Sequence, residues 1–221
     1  MFFAKHDGKR VGEYTGWSDD KAREFLNHLI KVIGDNWIYP IGFGIVVKDF
    51  NDLPLERKQW LTGGKFRADK YISFGCPNKP YYLPFQFCVL GASQISGASA
   101  RDKINFFAGL DRTFSGYATE LHKSLLGDER IDQDLRVRLG QISYPFAKDT
   151  PGIQAADLVA NRMYQHAQKL LENRYLEAPI LLRKILKRAK KNQRFTLFDR
   201  QALDDMEVRA AAMYERIMRS R

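Results

Sequence analysis

Segments with the periodicity of amphipathic helices alternate along this chain with short runs of β-forming residues. A clear helix begins at Ser18, a favourable N-cap followed by acidic residues, and its apolar residues recur at helical spacing. Residues 37–47 are rich in β-branched and aromatic side chains, while Pro40, Gly42 and Gly44 indicate an edge or bulged strand. Alternation of this kind predicts an α/β protein.

The same alternation continues in the middle of the chain. Residues 81–96 are apolar on most sides, which predicts a helix buried between other layers. Residues 103–110 predict a strand that ends at Asp111, and residues 142–146 predict a shorter strand before a further helix. Asp111 would then lie at the carboxyl end of a strand, where open α/β sheets commonly bind ligands.

Size and composition favour one packed domain. The 221 residues suit a single core, since one domain usually takes ~100–200 residues, and 44% of them are hydrophobic. No apolar run is long enough to span a bilayer, and the N-terminus lacks the plan of a signal peptide, so we expect no membrane partner and a cytoplasmic location.

Two kinds of site find no support in the motifs. There is no Gly-x-Ser-x-Gly elbow, and neither Cys76 nor Cys88 has the motif context of a nucleophile, which disfavours acyl-enzyme chemistry. Base-stacking aromatics are not predicted either, because the best candidates fall in core patterns. These are Phe85, Phe87, Phe106, Phe107 and Phe114.

The segment from Thr150 onwards combines a helix start with a polar ridge. Thr150 or the preceding aspartate can cap the helix, and Pro151 suits its first turn. Gln154, Asp157 and Asn161 form the ridge beside a side predicted to face the core. The residues predicted on that core side are Ile153, Ala156, Ala160, Met163, Tyr164, Ala167, Leu170 and Leu171.

Asp157 has two interpretations on this pattern. A carboxylate at the edge of an apolar stripe loses solvation, so it tends to be paired, hydrogen-bonded or bound to a metal. It is either a buried acid bonded to a neighbouring backbone group or arginine, or part of a functional site.

The C-terminal part of the chain is strongly basic. Residues 174–221 hold 13 Arg and Lys against 6 Asp and Glu, within a net charge of +10 for the whole chain. Residues 180–191 predict an amphipathic helix whose polar side is basic, and Asp199 can cap a final helix. The helices either dock on the domain with solvated charges or contact nucleic acid. The basic residues concerned are Arg183, Lys184, Lys187, Arg188, Lys190 and Lys191.

Four segments resemble an RNase H-like family catalogued as the domain of unknown function numbered 3800. Residues 105–112 are similar to its middle strand and acid, and residues 139–143 to its next short strand. Residues 154–158 read Gln-Ala-Ala-Asp-Leu and resemble its Gln-x-Ala-Asp-Leu helix, and residues 12–17 resemble the segment before its first long helix. The resemblance extends to about residue 170.

This resemblance implies a fold and an activity. It implies an α/β domain over residues 1–175, with an RNase H-like mixed sheet flanked by helices, followed by a basic helical extension over residues 176–221. It also implies a metal-dependent nuclease in which Asp111 and Asp157 bind Mg²⁺ or Mn²⁺ and Gln154 is a catalytic neighbour. The basic helix would hold DNA or RNA.

One departure from the family pattern keeps other functions open. The family's first strand carries Asp-Glu-Ser-Gly, and no Asp-Glu-Ser occurs here, although two-metal cleavage needs several carboxylates to hold ions ~4 Å apart. The chain is then a nuclease that lacks one ligand, a non-catalytic module that binds nucleic acid or protein, or part of a longer reading frame. Loss of that strand would also expose a sheet edge through which two copies could form a homodimer.

Overall fold

The computed structural model describes residues 5–6, 9–10, 15–35, 40–63, 65–67, 70–72, 78–94, 102–109, 112–128, 131–146, 149–172, 183–184 and 194–219. Asp111 and most of the predicted basic helix lie outside these residues. The described part is mixed α/β, with eight helices and small sheets of two strands each. None of the described helices is both long and apolar enough to cross a membrane.

The elements follow one another in a mixed order along the chain. The strands are β1 Lys5–His6, β2 Lys9–Arg10, β3 Ile41–Ile45, β4 Lys65–Arg67, β5 Lys70–Ile72, β6 Ile104–Phe107, β7 Leu139–Ser143 and β8 Arg194–Phe198. The helices are α1 Asp19–Asp35, α2 Val47–Asn51, α3 Leu55–Leu61, α4 Tyr82–Ser93, α5 Ser115–Gly127, α6 Gln133–Arg138, α7 Pro151–Leu171 and α8 Arg200–Arg219.

The chain divides into two compact units, each built from separate stretches of sequence. The first unit comprises residues 1–41, 107–110 and 145–194, and the second comprises residues 42–106, 111–144 and 195–221. A boundary between residues 175 and 176 stays a prediction.

In the first unit, α1 forms where the sequence predicts a helix. The Ser18 hydroxyl oxygen accepts a hydrogen bond from the Lys21 backbone N–H at 3.1 Å, which confirms the predicted N-cap. Ala22 and Ile30 are buried on one side of the helix, and the ring of Trp17 meets Phe25 edge-on at 5.4 Å. In the same unit, β1 pairs with β2 in antiparallel register.

Among the described residues, three sheets lie mainly in the second unit. β3 pairs with β8, β4 pairs with β5 in antiparallel register, and β6 pairs with β7. The close approach of β6 and β7 explains Gly140, because a Cβ there would come within 2.8 Å of the Ile104 carbonyl oxygen. The Asn105 side-chain oxygen also accepts a hydrogen bond from the Gln141 backbone N–H at 3.0 Å.

The largest described core cluster of the second unit joins helices to the β3–β8 sheet. Its buried members are Phe50, Leu53, Leu61, Leu83, Phe198 and Leu203. α4 is surrounded by apolar neighbours and contributes to two further clusters, through Tyr82 and Val89, which confirms the predicted buried helix. Apolar burial on this scale is the main favourable term in folding.

The segment predicted to be a helical extension also contains a strand. β8 covers residues 194–198, and the Phe198 carbonyl oxygen accepts a hydrogen bond from Val46 N–H at 2.9 Å. Strand pairing with a distant partner is not visible in local periodicity, which explains the difference. The predicted final helix is confirmed, since Asp199 caps α8 through a 2.9 Å hydrogen bond from Ala202 N–H.

Candidate functional site

Helix α7 begins as the sequence predicts, but its cap is formed differently. Thr150 occupies the N-cap position with extended backbone angles, and Pro151 opens the first turn. The Thr150 hydroxyl does not cap the helix; it donates a hydrogen bond of 3.1 Å to the carbonyl oxygen of Phe146. The N–H groups of Ile153 and Gln154 donate to the Thr150 carbonyl oxygen, which fixes the first turn.

The buried side of α7 differs from the predicted one. Leu158, Val159, Met163 and Ala167 are buried, so only Met163 and Ala167 of the predicted set are. Ile153 is half-buried, whereas the other predicted residues are exposed: Ala156, Ala160, Tyr164, Leu170 and Leu171. Because alanines make this helix weakly apolar on several sides, periodicity leaves its orientation open, and the larger Leu158 and Val159 occupy the interior.

The predicted polar ridge lies on the outer side of α7. Gln154 and Asp157 are exposed, and Asn161 is half-buried. The interpretation of Asp157 as a buried acid is therefore wrong, because the buried side of the helix is rotated away from it. Gln154 and Asp157 are three residues apart, so their side chains are neighbours on one face of the helix. An exposed carboxylate and amide on one face can offer oxygen atoms to a ligand.

Further along α7, the polar side chains are linked to one another. Arg162 Nη1 donates to Gln165 Oε1 at 2.8 Å, and Gln165 Nε2 donates to Asn161 Oδ1 at 3.2 Å. Burial lowers the pKa of the Arg162 guanidinium from its ordinary value. On the outer side, Gln168 Nε2 donates to the Tyr164 hydroxyl oxygen at 2.8 Å, which orients the exposed ring. These bonds hold the middle of the helix surface in a defined arrangement.

The chain that leads towards Asp111 lies beside the first turn of α7. A Cβ placed on Gly109 would be 3.8 Å from Cγ2 of Ile153, which is ordinary van der Waals contact. Ile153 immediately precedes Gln154 in the helix. The structure therefore brings the residues just after β6 next to the helix that carries Gln154 and Asp157. Asp111 itself lies outside the described residues.

Of the predicted basic helix, the structure describes two residues, Arg183 and Lys184. Arg183 and Lys184 are helical and exposed, and Lys184 Nζ donates to Asn27 Oδ1 on α1 at 3.2 Å. The other four predicted basic residues, Lys187, Arg188, Lys190 and Lys191, are outside the described part of the chain. Asn27 also lines a shallow groove of ≈ 580 Å³ on α1, whose other lining residues are Asp20, Arg23, Glu24, His28 and Lys31. This groove has charges of both signs and was not predicted.

Histidine and cysteine often take part in catalysis, but His122 and Cys88 are both partly or fully shielded from solvent, and burial shifts their pKa values. His122 is buried, and the centroid of its ring is 5.5 Å from the ring centroid of Phe106. Burial lowers the pKa of His122 from the ordinary value. Burial raises the pKa of the Cys88 thiol, although a backbone hydrogen bond at Phe43 opposes the rise. A thiol that stays protonated is a poor nucleophile, which agrees with the absence of a nucleophile motif.

The aromatic residues predicted to lie in the core do so with one exception. Phe85, Phe87, Phe106 and Phe114 pack against buried clusters. Phe107 is 64% exposed, so its prediction is wrong. Side chains alternate between the faces of a strand, and the half-buried Ile104 and Phe106 put Phe107 on the opposite face of β6. That alternation was the signal in the sequence that could have revealed this residue.

Three comparisons with known proteins found no match to this chain. No family model, no curated protein and no solved structure matches the chain. Within the described ranges, no three or more His, Cys, Asp or Glu side chains are grouped so that they could hold a metal ion. The resemblance to the RNase H-like family therefore stays a prediction, supported by the residues on which it rests.

Proposed function

We propose that this chain is an RNase H-like protein that binds Mg²⁺ or Mn²⁺ through Asp111 and Asp157 and hydrolyses phosphodiester bonds in DNA or RNA. The observation that carries the proposal is the closeness of Gly109 to the first turn of α7, where a Cβ on Gly109 would be 3.8 Å from Cγ2 of Ile153. Asp111 follows Gly109 by two residues in the sequence. In the proposed site, Asp111 and Asp157 bind the ion, and Gln154 is exposed on the same face of α7 as Asp157.

The donor atoms suit the proposed ion. Mg²⁺ prefers oxygen ligands, keeps several waters and often takes only one or two carboxylates from the protein. Asp157 offers such a carboxylate, and its exposure leaves room for the waters. Gln154, on the adjacent turn, orients a water or a phosphate oxygen through its amide. When bound, the ion would lower the pKa of a coordinated water and stabilise charge on the phosphate oxygens.

The basic residues at 183–191 hold the phosphate backbone in this proposal. Arg183 and Lys184 are exposed. The hydrogen bond from Lys184 to Asn27 places its ammonium group beside α1 within the first unit, which also contains α7. Contacts between lysines and phosphates would supply affinity that falls as salt rises.

A non-catalytic module is the second candidate, and the missing Asp-Glu-Ser favours it. Two carboxylates hold a pair of ions poorly, whereas the basic residues would bind a nucleic acid without any metal. In this candidate, the chain binds nucleic acid but no divalent ion. The two candidates therefore differ in whether a divalent ion binds to both aspartates.

Calorimetric titration of Mn²⁺ separates the two candidates. The parent chain, Asp111→Ala and Asp157→Ala are compared after circular dichroism has shown that all are folded. Asp134→Ala is the matched control, because Asp134 is also an exposed aspartate on a helix. Saturable binding that is lost in both site variants and kept in the control supports the enzyme. Absence of saturable binding in the parent, or loss in only one site variant, overturns the shared metal site and leaves the binding module.

A further inference from the structure

Three aromatic side chains of the first unit are largely exposed. Phe107 is 64% exposed, Phe146 is 61% exposed and Tyr164 is 58% exposed. Large apolar groups exposed together often mark a binding site. Aromatic rings at such a site offer flat faces on which the bases of a nucleic acid can stack.

The three aromatic residues lie on α7 or in segments close to its first turn. Phe107 is two residues from Gly109, on which a Cβ would be 3.8 Å from Cγ2 of Ile153 in the first turn of α7. The Phe146 carbonyl oxygen accepts hydrogen bonds of 3.1 Å from the Asp149 N–H and the Thr150 hydroxyl, so Phe146 is fixed just before that turn. Tyr164 lies two helical turns beyond Asp157, with its hydroxyl held by Gln168. A hydrogen bond thus holds the Tyr164 side chain, and hydrogen bonds hold the backbone of Phe146.

The charge of the same unit fits a polyanion. The first unit contains 17 basic and 10 acidic residues, which is +7 of the chain's +10. A positive surface attracts phosphates and releases their counterions, whereas it would repel a second copy of itself. Exposed aromatic rings combined with net positive charge are the two features with which proteins bind single strands.

We propose that Phe107, Phe146 and Tyr164 stack the bases of a single-stranded nucleic acid that lies along the outer side of α7. This inference rests on the proposed function for the kind of ligand, and it specifies the substrate as single-stranded. Bases in a duplex are already stacked on each other and paired, so their faces are closed to the rings. From Gln154 to Tyr164 the helix rises ~15 Å, which corresponds to about four nucleotides at the ~3.4 Å spacing of a stacked strand.

Fluorescence anisotropy with a labelled oligothymidylate of about 12 nucleotides tests this inference, since that length lies within known single-strand site sizes. The full chain is measured in EDTA, so that binding does not depend on the metal site. The same oligonucleotide paired with oligoadenylate is the duplex probe at equal salt. We expect the single strand to bind more tightly than the duplex.

Conservative variants separate stacking from general hydrophobic contact. Phe107→Leu and Phe146→Leu keep an apolar side chain and remove the ring, so we expect single-strand affinity to fall about 5-fold or more for each. Phe107→Tyr keeps a ring and should retain the affinity. Val208→Ala on α8 is the control, because Val208 is exposed and apolar but belongs to the second unit.

Three results would overturn the inference. They are equal affinity for duplex and single strand, parent-like binding by both leucine variants, and a dimer in the parent that becomes a monomer in those variants. The last result would mean that a second copy covers the rings. Because binding is measured in EDTA, the outcome is independent of the Mn²⁺ titration. If the chain binds Mn²⁺ but binds the single strand and the duplex with equal affinity, the proposed metal site stands and the proposed stacking site is wrong.

Discussion

Arg57 in the second unit and Asp157 in the first are both charged residues on helices, but their surroundings are opposite. Arg57 is 8% exposed, and its Nη2 donates to Leu203 O at 2.9 Å and to Asp204 Oδ1 at 2.7 Å. Its Nε lies 3.0 Å from Glu207 Oε2 in an ion pair without hydrogen-bond geometry. Asp157 is exposed beside Gln154. A buried charge bonded to another helix specifies structure, whereas the exposure of Asp157 leaves its carboxylate accessible to solvent and to a ligand.

The two units also differ in net charge. The second unit has 19 basic and 16 acidic residues, a net +3, and the first has a net +7. Near-balanced charges in the second unit allow pairs such as those around α8, where Arg200 Nε also lies 3.1 Å from Asp204 Oδ2. The excess in the first unit exceeds what its own acids can neutralise. We therefore expect substitutions of charge to alter stability in the second unit and ligand binding in the first.

Among the substitutions of charged residues, the largest expected effect is the loss of stability in Arg57→Met. Methionine fills much of the buried space but removes the bonds to α8, and hydrogen bonds to charged groups contribute more than neutral ones, so we expect a loss of about 2–4 kcal/mol. The measurement is the free energy of unfolding in urea. Arg209→Met on the exposed side of α8 is the control and should stay within about 0.5 kcal/mol.

The same variant should also change the titration of Asp204. The hydrogen bond from Arg57 is the main reason that the pKa of this carboxyl lies below its usual value, partial burial opposes the shift, and Arg200 adds to it. In Arg57→Met the pKa should therefore rise towards the ordinary range, which NMR titration of the side-chain carboxyl would show. An unchanged pKa and unchanged stability would contradict the structural role of Arg57.

Elements with local signals could be predicted from the sequence, and this explains the success at α1 and α8. Ser18 and Asp199 are good N-caps next to clear helical periodicity, and both accept the hydrogen bonds that the sequence predicts. The residues predicted for the polar ridge of α7 also lie together, because spacing within one helix fixes which side chains are neighbours. The position of Gln154 beside Asp157 depends only on this kind of local geometry.

Features that depend on distant residues could not be predicted in the same way. The pairing of β8 with β3 joins residues far apart in sequence, and no local pattern identifies the partner. The buried side of α7 is decided by what packs against it, since Ala156 and Ala160 are apolar but exposed. The closeness of Gly109 to Ile153 is equally non-local. Tertiary packing therefore supplied the evidence on which both proposals rest.

A smaller effect is expected from the buried histidine of the second unit. Burial lowers the pKa of His122, and among the described residues its Nε2 has no hydrogen-bond partner. Below pH ~6.5 the unfolded chain binds a proton at this residue that the folded chain does not, so the stabilisation present above that pH declines as pH falls towards the lowered pKa. The folded state disfavours the proton because burial removes water from the charged imidazolium.

His122→Leu tests this pH dependence. The variant keeps an apolar group beside Phe106 and cannot titrate, so its free energy of unfolding should fall less than that of the parent between about pH 7 and pH 5. The control is the range of about pH 7.5–8.5, in which neither folded nor unfolded chain protonates this residue. If both proteins lose the same stability on acidification, His122 does not contribute to the acid sensitivity of the second unit.

The smallest expected change in stability is that of Asp157→Ala, and it gives the sharpest test of the contrast between the units. Because Asp157 is exposed, its removal should alter the free energy of unfolding by no more than about 0.5 kcal/mol, while Mn²⁺ binding is lost in the proposed site. The next residue provides a matched control on the same helix. Leu158 is fully buried, so Leu158→Ala should lose about 3–5 kcal/mol. If Asp157→Ala were destabilised by more than about 1.5 kcal/mol, its carboxylate would support the fold as Arg57 does, and an effect on ion binding would no longer identify it as a ligand.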